Sequence, residues 1–101
     1  MSDTSTKNRT ETELKIARPK LHKVILLNDD YTPREFVVKM LESVFRIGEP
    51  QAMAIMMTAH QKGSAVIAVF TKEIAETKAD EAIELSQQFG FPLMVTTEPE
   101  E

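Results

Sequence analysis

The stretch ILLNDDYTPREFV, residues 25–37, decides how this chain is read. An apolar run ending at Leu27 stops against Asn28, Asp29 and Asp30, and a second pattern begins at Thr32. The segment HKVILLN, residues 22–28, is continuous in apolar and β-branched residues, which suits a strand buried on both faces. Thr32, Pro33, Arg34 and Glu35 fit a capping box: Thr32 accepts from a first-turn N–H, Pro33 takes the first helical position, and Glu35 bonds back to the cap. A strand, a polar stop and a capped helix therefore follow one another without a spacer.

The same logic extends outward. Phe36, Val37, Met40, Leu41 and Val44 recur at helical spacing, so the first helix is expected to end by about Ile47, with Gly48 as its stop. Pro50 opens a second helix on which Ala52, Met53, Met56, Met57, Ala59 and His60 keep one broad apolar face until Gly63. SAVIAVFT, residues 64–71, predicts the second strand. Thr71 caps a third helix running through Phe89, Gly90 stops it, and PLMVTT, residues 92–97, predicts the third strand. The order β-α-α-β-α-β implies an α+β sandwich, a three-stranded antiparallel sheet packed against three helices. Residues 1–20 are rich in Thr, Lys, Glu and Asn without sustained periodicity, and read as a flexible N-terminal tail. Residues 21–101 form the domain.

Composition narrows the function. A chain of 101 residues that is 42% hydrophobic can bury one core. Cysteine is absent, which excludes disulfides, thiolate catalysis and Cys-rich zinc sites and makes a reducing cytoplasm the expected compartment. No apolar run approaches the roughly 18 residues of a membrane helix, and the opening segment lacks the apolar core of a signal peptide. Charge is uneven, net +2 over residues 1–20 and net −6 over the rest. An acidic body without a basic stripe, with only 6% aromatic residues, argues against nucleic acid and towards protein or peptide partners.

Four groups of side chains are candidates for a site, and each has an ordinary reading beside the functional one. Asn28, Asp29 and Asp30 serve as turn residues in many strand ends. His60, one or two turns from Met53, Met56 and Met57, fits a satisfied core histidine. The Met-rich face fits gap filling as well as an adaptable binding wall. Glu73, Glu76 and Lys78 fit a solvated helix face. The first two groups gain weight together, because a helix packed across the end of the strand would bring His60 and a carboxylate into one acceptor cluster beside apolar walls.

KVILLNDDYTPREFV, AHQKGSAVIAVFTKEIAETK and FPLMVTTE, within residues 21–97, resemble ClpS, the adaptor family of bacterial N-end rule proteolysis. The resemblance implies a non-catalytic adaptor without cofactor or metal. It would bind N-degrons, substrates with a free α-amino group and a bulky hydrophobic first residue, and hand them to the N-terminal domain of the ClpA unfoldase of ClpAP. Nothing demands an oligomer, and a monomer is expected. By the same resemblance Asn28, Asp30 and His60 would accept from the α-amino group, which carries a charge at neutral pH, while Asp29 points elsewhere. Leu26, Thr32, Arg34, Val37, Met56, Ala59 and Leu93 would form the hydrophobic pocket. Glu73 and Lys78, with Tyr31 beside them, would contact ClpA.

Two positions depart from the commonest family pattern, which has Met at Arg34 and Val at Ala59. Ala59 leaves room that an aromatic ring fills better than Leu, and Arg34 can lay its guanidinium over a ring. The expectation is a preference for Phe, Tyr or Trp over Leu. A rival reading is a protein-docking domain without an amino-terminus pocket, comparable in architecture to the C-terminal domain of the ribosomal stalk protein. An enzyme is disfavoured, because no nucleophile with an activating context accompanies the Asp-His pair.

Overall fold

A computed structural model describes residues 20–100 of the chain. The expected tail, apart from Lys20, lies outside the described residues. Three strands, β1 (Leu21–Leu27), β2 (Ser64–Thr71) and β3 (Val95–Pro99), form one antiparallel sheet in the order β2-β1-β3. Three helices, α1 (Arg34–Phe45), α2 (Glu49–Lys62) and α3 (Lys72–Gln88), cover one face, giving the expected β-α-α-β-α-β sandwich.

β1 is the central strand, in keeping with its unbroken apolar run. Val24 and Leu26 point into the core under the helices. Ile25 faces the opposite way yet is only 8% exposed, because its cross-strand neighbours Val66 and Thr96 flank it. A bulge in β2 sets Val24 opposite Ala68 and Ile25 opposite Val66, so Ile67 is the extra residue. Ile67 and Ala68 then both pack inward while Val66 and Val69 stay outside.

The helix ends differ from expectation in instructive ways. Pro33, not Thr32, is the N-cap of α1: its carbonyl accepts from the Val37 N–H at 3.1 Å, and no side chain caps the helix. The capping box does not form because the Thr32 hydroxyl donates to an Asp29 carboxylate oxygen instead. α1 stops at Phe45, and the left-handed turn falls on Arg46 (φ 57°) rather than Gly48. Gly48 is already the N-cap of α2, its carbonyl accepting from Ala52 at 2.9 Å. Lys78 compensates in part, its Nζ donating to the Val44 carbonyl at 2.9 Å in the last turn of α1.

α3 lies on the sheet through a stripe of small buried residues, Ala75, Ala79, Ala82 and Ser86, spaced to share one face. Thr71 holds its N-cap position without a side-chain bond. The expected third strand starts late: pairing begins at Val95, opposite Leu26, and Leu93 is buried in the loop before it. Pro99 is tolerated because β3 is an edge strand.

Candidate functional site

The site is assembled where β1 ends. The Asn28 N–H donates to the Gly63 carbonyl at 2.9 Å, and Gly63, in the left-handed conformation (φ 94°), closes α2 by donating to Ala59 at 2.8 Å. Leu27 donates to the Met94 carbonyl at 3.1 Å. These bonds fasten the C-terminal end of α2 and the loop bearing Leu93 to the end of β1. On the other side the chain turns directly into α1.

Asp29 makes that turn. One carboxylate oxygen accepts from the Tyr31 N–H at 2.9 Å and the other from the Thr32 hydroxyl. Thr32 is buried, at 7% exposure, so this bond satisfies a polar group that water does not reach. With both oxygens of Asp29 occupied, the two adjacent carboxylates have different work. Asp30 and the Asn28 amide are exposed and carry no side-chain hydrogen bond among the described residues.

Between these elements lies a cavity of about 260 Å³. Its walls are Leu26 from β1, Val37 from α1, Met56 and Ala59 from α2, and Leu93, all buried. Asn28, Asp30, Thr32, Arg34 and His60 complete the lining. All ten residues expected at the amino group or in the apolar pocket thus border one space. Its volume is below the roughly 300–1,000 Å³ of pockets for drug-sized ligands and suits a single large side chain.

The ordinary reading of His60 as a satisfied core histidine does not hold. It is exposed, because the buried arc of α2 is Ala52, Ile55, Met56 and Ala59, and His60 sits just past its edge. Its ring lies against Arg34, whose Nη2 is 2.7 Å from Nε2 and 3.4 Å from Nδ1. Arg34 and His60 together form one lip of the cavity, with Asn28 and Asp30 also at its border.

Sequence reasoning missed Leu27, Asp29 and Pro33 as lining residues. The cavity lies off the end of the strand rather than on one face, so strand alternation gave no reason to include Leu27. The Asp-x-x-Thr spacing does carry the signal for the turn made by Asp29. Glu73, Lys78 and Tyr31 lie off the cavity. Glu73 borders a shallow depression at the start of α3 with Thr71 and Glu76, and Tyr31 projects into solvent at 82% exposure. Among the described residues no group of three or more His, Asp or Glu side chains converges as a metal site would, and no helix is long and apolar enough to cross a membrane.

Comparison with known proteins gives a consistent picture. The sequence model of the ATP-dependent Clp protease adaptor protein ClpS matches residues 17–96. ClpS 1 of Bradyrhizobium diazoefficiens is 56% identical over 101 residues, covering all of both chains. ClpS 2 of Agrobacterium fabrum is 58% identical over 95 residues, 94% of this chain and 92% of that protein. The structure of Agrobacterium tumefaciens ClpS2 bound to L-phenylalaninamide superposes with a TM-score of 0.81 at 63% identity, covering 82% of this chain and all of that one. With the fold, the length and most of the sequence shared, the chain belongs to the ClpS family of ATP-dependent Clp protease adaptor proteins.

Proposed function

We propose that this protein binds N-degrons, polypeptides with a free α-amino group and a bulky, preferentially aromatic first residue, and delivers them to the ClpA unfoldase of ClpAP. The observation that carries this reading is the apolar cavity with Asn28 and Asp30 exposed at its border and unbonded through their side chains among the described residues. An α-ammonium has three donors and a positive charge, and the side chain beside it needs an apolar wall. L-Phenylalaninamide, the ligand of the Agrobacterium tumefaciens relative, has that combination of groups.

Asn28 accepts through its amide oxygen, Asp30 through its carboxylate, and His60 through a ring nitrogen, directly or through water. Leu26, Thr32, Val37, Met56, Ala59 and Leu93 enclose the first side chain. Burial of a Phe or Leu side chain contributes roughly 1.5–3 kcal/mol, which with the ammonium contacts supports useful but reversible binding. Arg34 and the small Ala59 favour a planar ring over Leu.

The adaptor carries out no bond chemistry. Among the described residues Thr32 is the only hydroxyl-bearing one lining the cavity, and its hydroxyl is committed to Asp29. Glu73 and Lys78, with Tyr31 a further member, contact the ClpA N-terminal domain. Residues 1–20 act as an extension that the unfoldase engages during delivery, residues 21–101 are the adaptor domain, and the protein works as a cytoplasmic monomer. Calorimetric titration with a free and an N-acetylated Phe-starting peptide tests the reading. Binding of the free peptide alone is expected. Equal binding of both would point to a docking domain without an amino-terminus pocket.

A further inference from the structure

The wall of the cavity that carries Leu93 is a loop with little backbone support. At one end the Phe91 N–H donates to the Ser86 carbonyl at 2.9 Å, and at the other the Met94 carbonyl accepts from Leu27 at 3.1 Å. Among the described residues, neither Pro92 nor Leu93 makes a backbone hydrogen bond between these two anchors. Leu93 is nevertheless 3% exposed and lines the cavity. Side chains therefore hold this stretch in place.

Phe36 and Phe91 supply the hold. Their rings meet edge to face, with centroids 4.8 Å apart and planes at 64°. Phe89 adds a third ring, 5.2 Å from Phe36 and 6.5 Å from Phe91. Placement says what the pair does for the cavity. Phe36 immediately precedes Val37, which lines the cavity from α1, and Phe91 stands two residues before Leu93, which lines it from the loop. Neither Phe36 nor Phe91 lines the cavity itself. A contact outside the cavity thus ties together the supports of two of its walls.

We infer that Phe36 and Phe91 are positioning residues, which fix the gap between the Val37 and Leu93 walls at the width of an aromatic ring and so help to select the first side chain. The inference rests on the N-degron reading of the pocket. A ring is a rigid slab, and it makes full dispersion contact only when the walls on both its faces stand at about 3.5–4.0 Å. A Leu side chain changes rotamer to follow its surroundings and needs no fixed gap. Loosening the loop therefore costs an aromatic ligand more than a leucine one.

The test titrates the full chain and its Phe91→Leu, Phe36→Leu and Phe91→Tyr variants with L-phenylalaninamide and L-leucinamide, with thermal melts in parallel. Leu keeps most of the apolar bulk but loses the edge-to-face contact, whereas Tyr keeps the ring. In both Leu variants phenylalaninamide is expected to bind about four- to fifteenfold more weakly, the effect of one or two methylenes of wall contact, and leucinamide to change by less than about twofold. Phe91→Tyr is expected to retain the native ratio of the two affinities. An unchanged ratio in both Leu variants, whatever their Tm, would overturn the inference, because the aromatic pair would then stabilise the fold without shaping the pocket. So would a collapsed ratio in Phe91→Tyr. Failure of the unaltered chain to bind phenylalaninamide would overturn the N-degron reading of the pocket, and the inference with it.

Discussion

Asp29 and Asp30 are adjacent and chemically identical, but of the two only Asp29 is hydrogen-bonded through its side chain among the described residues, so substituting each by Ala separates folding from the proposed binding. Asp29→Ala removes the acceptors of the Tyr31 N–H and the Thr32 hydroxyl. Losing the exposed Tyr31 bond costs about 1 kcal/mol, and leaving the buried Thr32 hydroxyl without its partner costs about 1–3 kcal/mol. A loss of about 2–4 kcal/mol is expected, which for a domain of this size lowers Tm by about 10 °C or more. Asp30→Ala removes no side-chain hydrogen bond among the described residues, and its stability is expected to stay within about 0.5 kcal/mol of the native chain. Its binding is another matter. A hydrogen bond between charged partners contributes about 1.5–3 kcal/mol, and solvent exposure of Asp30 places the loss at the lower end, about tenfold in Kd. Thermal melts and calorimetry with phenylalaninamide measure both quantities. An Asp29→Ala protein that melts like the native chain, or an Asp30→Ala protein that binds normally, would refute the division.

Three other outcomes follow from particular contacts. Arg46→Gly places glycine at the left-handed end of α1 and is expected to raise stability by about 1 kcal/mol, read as a higher Tm. Lys78→Ala removes the donor to the Val44 carbonyl and is expected to cost about 1 kcal/mol of stability, whereas Glu73→Lys leaves Tm unchanged and weakens ClpA binding in a pull-down. Arg34→Met with Ala59→Val is expected to shrink the preference for a Phe-starting over a Leu-starting peptide by about fivefold, roughly the effect of one or two methylenes of wall contact; competition titration reads the ratio.

Much of this architecture was legible because the apolar patterns are short and unambiguous. β2 falls on the residues its SAVIAVFT run predicts, and β1 starts where the apolar pattern starts. What escaped were competitions between local partners. Thr32 looked like a helix cap, but the carboxylate three residues earlier claimed its hydroxyl. Gly48 looked like a helix stop, but with only three residues between α1 and α2 it serves the start of the second helix, and Arg46 bears the left-handed turn. His60 looked like a core residue because it follows methionines at helical spacing. Those methionines border an open groove between α1 and α2, and the buried arc ends at Ala59. The packing of Phe36 against Phe89 and Phe91, with centroids 5.2 and 4.8 Å apart, had no sequence signal, since it joins α1 to the loop after α3.

The site was legible in part for a different reason. Asn28, Asp30 and His60 are distant or undistinguished in the chain, and the bond from Asn28 to Gly63, which extends the β1–β2 pairing of Leu27 with Ser64, brings the end of α2 against the end of β1. Periodicity alone left that convergence conditional on how α2 packs. Met53 and Met57 were visible as an apolar face, but whether that face was core or surface depended on how far apart α1 and α2 stand.

The central claim is that one cavity takes the first side chain while the acceptors at its border take the α-amino group. A crystal structure of this protein with phenylalaninamide measures it most directly. The account predicts the ring between Val37, Met56 and Leu93, with the α-nitrogen within about 3.2 Å of both the Asn28 amide oxygen and the Asp30 carboxylate. A ring lodged in the α1–α2 groove, or an α-nitrogen facing solvent with Asn28 and Asp30 unengaged, would contradict it.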